Sequence, residues 1–164
     1  MDQMRIRKRH RLKRKEIKRI SEEISSQIGV SVFDEEDVVD LGNAPDFDVV
    51  FVDGQILALI YERKAFPTVR GVLRYGAKKR SVTVDMGAVG FVCNGADVMG
   101  PGIVDADSGI EEGDLVWIRD EKNLKPLAIG KALVPGEKML EKGKGKMISS
   151  LHYVGDKLWK LDED

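Results

Sequence analysis

The chain has 164 residues, 42% of them hydrophobic, with 17 glycines and 5 prolines, enough for one ordinary domain or two small, turn-rich ones. No apolar run approaches the roughly 18 residues of a membrane-spanning helix, the charged N-terminus excludes a secretory leader, and the lone Cys93 excludes an internal disulfide or a CxxC zinc site. A reducing cytoplasm is therefore expected, with no membrane partner and no metal or cofactor.

The net charge of −1 conceals segregation: residues 1–20 hold ten Lys/Arg against two acids, 21–62 hold eleven acids and no Lys or Arg, and 63–80 hold seven Lys/Arg and no acid. Blocks of this kind create strong local fields, and the basic ones are the footprint of a polyanion partner.

In chain order, residues 12–28 read as a helix, because Ile17, Ile20, Ile24 and Ile28 recur at spacings of three and four and Gly29 stops them. Lys13, Arg14, Lys15, Lys18 and Arg19 occupy its other faces, as a solvated surface or a nucleic-acid contact. Residues 47–52 and 55–61 form a hairpin turned by Asp53-Gly54. Pro67 then opens a short helix in which Val69, Val72 and Leu73 face inward, Arg70 and Arg74 share another face, and Gly76 is the stop. These elements make a first α+β unit, 1–76, with a boundary near 76–80.

The remainder, 77–164, is mostly short strands. Residues 81–84 alternate as a strand, and 87–94 form a short helix capped by Asp85, with Val89, Val92 and Cys93 on one side and Gly95 as its left-handed stop. A strand from Val98 is interrupted at Gly100-Pro101-Gly102, further strands cover 115–119 and 127–134, and 146–154 pairs with 157–161 around Gly155-Asp156. Several short strands with one early helix predict a small, partly open barrel. The fold class is α+β, a small α+β domain followed by a β-rich barrel.

No catalytic constellation is present: H-E-x-x-H, a G-x-G-x-x-G opening a helix, and a P-loop are all absent. His10 lies in a charged tail, and His152 reads as a barrel-surface residue without a patterned nucleophile. Cys93 reads as a small core residue, and Trp117 and Trp159 as barrel packing. A non-enzyme is expected.

The second unit resembles the PUA family of RNA-binding domains. The matching blocks are VDMGAVGFVCNGADVMGPGIV (84–104), GDLVWI (113–118), LAIGKALV (127–134) and GKGKMISSLHYVGDKLWKL (143–161). The resemblance implies a pseudobarrel that grips RNA in a groove between its first helix and the flanking strands. The PTVRGVLR element (67–74) and the LHYVGDKLW ending (151–159) are similar to the malignant-T-cell-amplified-sequence group, its archaeal relatives and the N-terminal part of ligatin. That likeness implies a pre-PUA domain in front and work in translation, with tRNA or rRNA, the small ribosomal subunit and a separate translation-factor partner. The partner would have to supply the start-codon-sensing domain found beside these relatives, which the sequence lacks.

The candidate RNA contacts are the phosphate-facing cations Arg70, Arg74, Lys78, Lys79 and Arg80, and the basic edge Lys142, Lys144 and Lys146. Gly95, Ala96, Gly100, Pro101 and Gly102 lack bulk, so a sugar–phosphate backbone could approach the main chain there. Two alternatives stand beside this reading: an RNA-targeting subunit for a modification enzyme acting in trans, and a protein–protein adaptor using the acidic segment 34–53.

Overall fold

The computed structural model describes residues 4–141 and 143–162. Two compact units divide it, the first ending at Lys78 but also taking in the chain from Lys160, the second spanning Lys79–Trp159.

In the first unit, β1 (Arg7–Arg11), β2 (Val39–Asn43), β3 (Asp48–Val52), β4 (Gln55–Tyr61) and β5 (Lys64–Pro67) form one sheet in the order β1-β2-β3-β4-β5, with antiparallel neighbours. Helix α1 (Arg14–Ile28) buries Ile17, Ile20, Ile24 and Ile28 as its spacing predicts, and Gly29 ends it with φ 77°. The helix starts at Arg14, with Lys13 at the cap position and the Glu16 carboxylate accepting the Lys13 N–H at 3.3 Å. Leu12 is buried and the segment before it is strand, a pairing with β2 that a run of charged residues does not advertise. Across the sheet, the outer edge of β5 is closed by α1: Glu23 accepts the Ala65 N–H at 2.6 Å and Gln27 donates to the Ala65 carbonyl at 2.6 Å.

The β3–β4 hairpin turns at Asp53 (φ 50°) and Gly54 (φ 88°), as its sequence announces. Unannounced is the next turn, Glu62-Arg63, with φ of 49° and 68°, which pairs β4 with β5. Pro67 is consequently the last residue of a strand, opposite Ala58, and not the opening of a helix. Thr68 caps α2 (Val69–Tyr75) instead, its Oγ1 accepting the Gly71 N–H at 3.2 Å, and Gly76 ends it with φ 71°. Val69 and Val72 are buried as expected, but Leu73 is 51% exposed. Its place on the inner face is taken by Gly71, where a Cβ would overlap the Leu57 carbonyl oxygen.

The second unit holds β6 (Ser81–Val84), α3 (Met86–Val92), β7 (Val98–Met99), a 3₁₀ turn (Gly100–Gly102), β8 (Ile103–Ala106), β9 (Leu115–Asp120), β10 (Pro126–Ala132), α4 (Gly136–Met139) and β11 (Lys146–Tyr153). Its sheet runs β7-β11-β10-β9-β6-β8, with β6 and β9 parallel and the other neighbours antiparallel. Val82, Val84, Val92, Ile103, Ile118 and Ile148 form the centre of its core, with Val89 and Cys93 packed on the margin. Burial raises the Cys93 thiol pKa, in keeping with a packing role. Trp117 packs as expected and donates Nε1–H to the Lys79 carbonyl at 2.8 Å.

Two expectations at the C-terminal end fail. Residues 157–161 form a helix, α5 (Lys157–Leu161), not a strand, because Asp156 Oδ1 accepts the Trp159 N–H at 2.8 Å and so nucleates a turn. His152 is not a surface residue: it is 1% exposed, with Nδ1 2.8 Å from Asp156 Oδ2.

Candidate nucleic-acid interface

The site grows from a capped helix and the loop that leaves it. Asp85 Oδ1 accepts the Ala88 N–H at 2.9 Å and starts α3. The helix ends earlier than expected, at Val92, with Cys93 as its cap in right-handed conformation. Gly95, two residues beyond, turns the chain at φ 87°, its N–H reaching the Val92 carbonyl and the Ala96 N–H reaching that of Phe91, each at 3.0 Å. The chain then returns along β7 and the 3₁₀ turn, leaving an open groove of about 410 Å³ between helix and return segment.

The walls of this groove are largely apolar. Phe91, 70% exposed, and Met99, 46% exposed, stand on opposite elements, with Ala96, Pro101 and Gly102 between them. Two carboxylates, Asp85 and Asp97, supply polar points. Asp97 is bonded to Lys146 Nζ at 2.8 Å and to the Ser150 N–H at 2.8 Å. Chiefly the Lys146 ammonium, then the Ser150 N–H, holds the Asp97 carboxyl below its ordinary range, so it is an acceptor at neutral pH.

The sequence-derived contacts fall into distinct places. Ala96, Pro101 and Gly102 line the groove. Gly100 is buried, with its N–H bonded to the Gly145 carbonyl at 2.9 Å, and a Cβ there would overlap the Gly143 carbonyl, so its smallness serves the packing of the Gly143–Gly145 loop. Gly95 likewise sits against the Tyr153 ring, where a Cβ would come within 2.8 Å. Lys144 is exposed, Lys146 stands on the strand edge opposite Met99, and Lys142 lies outside the described residues.

Arg80 is drawn into the barrel: its backbone takes φ 71°, its N–H donates to Asp107 at 2.7 Å, and its guanidinium lies 3.3 Å from Asp114. Lys79, in the same unit, is exposed. Arg70, Arg74 and Lys78 belong to the first unit, where Arg70 is half-buried 3.7 Å from Asp162, Arg74 donates to Gln55 Oε1 at 2.9 Å, and Lys78 is exposed.

Phe91 and Met99 are groove residues that a search of the sequence for phosphate contacts does not single out. The available signal is Phe91 itself, a large aromatic outside the Val89, Val92 and Cys93 stripe of α3. Among the described residues no group of three or more His, Cys, Asp or Glu could hold a metal ion, and no helix is long and apolar enough to cross a membrane.

Comparison with known proteins places this groove in context. Residues 80–154 match the PUA domain, and residues 8–75 match DUF1947, a domain of unknown function. The chain is 42% identical to the uncharacterized protein MJ1432 of Methanocaldococcus jannaschii over 95% of its own length and 98% of that protein's. It is 33% identical to translation machinery-associated protein 20 of Saccharomyces cerevisiae over 66% of its own length and 63% of the yeast protein's. A Drosophila melanogaster homolog of malignant T-cell-amplified sequence 1 is 33% identical over 57% of the chain and 53% of that protein. The crystal structure of hypothetical protein PH0734.1 from Pyrococcus horikoshii superposes with a TM-score of 0.82 at 34% identity, covering 93% of this chain and 98% of that one. The chain therefore belongs to the PUA-domain family, in the branch whose PUA domain is preceded by a DUF1947 domain.

Proposed function

We propose that this is a non-catalytic, cytoplasmic RNA-binding protein of the translation machinery, and that its groove takes the unpaired end of a tRNA or of small-subunit rRNA. The observation that carries this reading is Phe91, a largely exposed aromatic on the wall of an apolar groove edged by Lys146. Nucleobases have apolar faces that stack on aromatic rings, and their amino groups donate to carboxylates such as Asp97. Phosphates would be repelled by Asp85 and Asp97, so the backbone runs outside, along Lys144 and Lys146. The groove thus accepts bases and its rim accepts phosphates, a division that the expected approach of backbone to glycine did not include. A role in translation is supported by the likeness to translation machinery-associated protein 20.

Two measurements test this. Crosslinking in cells followed by sequencing should recover tRNA 3′ ends or small-subunit rRNA; a pull-down that captures a modification enzyme in place of ribosomal subunits would favour the targeting-subunit alternative. In vitro, Phe91→Ala should weaken binding of a single-stranded RNA by about 1–3 kcal/mol, the worth of one base stacked on an aromatic. Wild-type affinity in that variant would remove the groove from the interface.

A further inference from the structure

We propose that the first unit carries a second RNA-contacting surface, formed by β1 and the first half of α1, that holds the phosphate backbone of duplex RNA. This surface does not rest on the groove reading, since its residues are different and belong to the other unit.

Residues 5–19 hold ten Lys/Arg against the single acid Glu16. All five residues of β1 are exposed, and β1 is an edge strand. Only Leu12 and Lys13 separate it from α1, so the cations of the first turns of the helix follow directly on those of the strand. Burial of Ile17, Ile20 and Ile24 against the core leaves Lys15, Lys18 and Arg19 outward, and none of the three has an ion-pair partner among the described residues.

Two arginines of the strand are set in place. Arg9 Nε donates to Asp40 Oδ2 at 2.9 Å and Arg11 Nε to Asp40 Oδ1 at 2.6 Å, so one carboxylate orients both guanidiniums. Arg9 also lies over the Phe51 ring, 3.7 Å from its centroid. Each bond uses the Nε edge and leaves Nη donors free to form paired bonds to a phosphate. Side chains that have already lost their rotamer freedom give up less entropy on binding. Residues two apart on a strand lie roughly 6.6 Å apart, and residues four apart on a helix about 6 Å, both comparable to the step between successive phosphates.

The same face argues against other partners. None of the exposed large hydrophobic residues falls within 5–19, so a protein partner would find no apolar centre to bury. Residues 5–19 contain no Phe, Tyr or Trp, and the Phe51 ring under Arg9 is buried, so unpaired bases would find no aromatic stacking platform on this face. A row of exposed cations, two of them held in place and none beside an aromatic or apolar anchor open to solvent, suits the regular backbone of a duplex.

The test uses the full chain and a blunt-ended RNA duplex of about 16 base pairs, the span of a typical double-stranded-RNA module, which offers the groove no unpaired end. Arg9→Gln/Arg11→Gln and, separately, Lys15→Gln/Lys18→Gln should each lower duplex affinity at least tenfold near 0.1 M salt. Each should also make the log–log salt dependence shallower by about one for every phosphate that the variant no longer neutralises. Because the helix pair faces solvent, it keeps the test decisive if the arginine variant unfolds. Phe91→Ala should leave duplex binding unchanged while weakening single-stranded RNA, which separates failure of this surface from failure of the groove. Wild-type duplex affinity and salt slope in the helix variant would overturn the proposal, as would tighter binding of polyglutamate than of the duplex at equal charge concentration.

Discussion

Asp156 shows how much one side chain can organise. Its Oδ1 accepts the Trp159 N–H, while Oδ2 accepts the Tyr153 N–H at 3.0 Å and meets His152 Nδ1 at 2.8 Å. Burial alone would raise its pKa, but the His152 bond and charge, followed by the Trp159 and Tyr153 N–H groups, outweigh it and hold the carboxyl below its ordinary value of 3.8. A depressed carboxyl stabilises the fold fully above its unfolded pKa and loses that contribution as pH falls through the folded value. Thermal unfolding of the wild type should therefore lose midpoint below about pH 3.8, and Asp156→Asn should flatten that loss. At neutral pH the same variant should cost about 2 kcal/mol: the Asn oxygen can keep the cap on Trp159, but an NH2 group replaces the oxygen that accepts the Tyr153 N–H and meets the buried histidine. An acid limb unchanged by the substitution would show that Asp156 carries no such linkage. Nothing in the local pattern around His152 revealed this pairing, because a Gly-Asp turn reads equally well as a hairpin.

At the level of elements, the signals that were legible were those with local causes. The isoleucine stripe of α1, the Asp53-Gly54 turn, the Asp85 cap and the left-handed Gly29, Gly76 and Gly95 are each fixed by a few neighbouring residues. The elements that were missed depend on partners far along the chain. The strand β1 holds no apolar residue and exists because β2 lies beside it, while β5 follows a Glu62-Arg63 turn whose residues do not favour positive φ. Leu124 is a similar case, held at φ 54° in the turn where Asp120 accepts the Asn123 N–H at 2.6 Å and the Lys125 N–H at 3.2 Å. Left-handed backbone costs a residue with a Cβ about 1–2 kcal/mol, and asparagine less than leucine. With Leu124 51% exposed, little packing is lost, so Leu124→Asn should stabilise the protein by about 1 kcal/mol, read as a raised unfolding midpoint. A lowered midpoint would mean that the leucine packs better than its exposure implies.

For the whole molecule, charge segregation is the dominant property, and it governs binding more than folding. Cationic blocks at 1–20 and 63–80 flank an acidic stretch, and the fold engages some of these charges internally: Arg80 on Asp114, and Arg9 and Arg11 on Asp40. Lys78 and Lys79 remain exposed, without ion-pair partners among the described residues. If both meet phosphates, Lys78→Glu/Lys79→Glu should weaken RNA binding across sequences and reduce the salt slope by about 2. Equal binding at every salt concentration would exclude them from the interface.

The sequence by itself determined the α+β class, the PUA domain with its preceding domain, and the chain segments that form the groove, because turns, caps and apolar stripes act over a few residues. Only the tertiary structure decided what the groove offers and where the cations go. Long-range packing turns Gly95 and Gly100 inward, ties Lys146 to Asp97, buries His152 against Asp156 and leaves Phe91 in the open. A residue's type fixes what it can bind, but its burial and its partners fix which of those capacities remains available, and these are settled by contacts that span the chain.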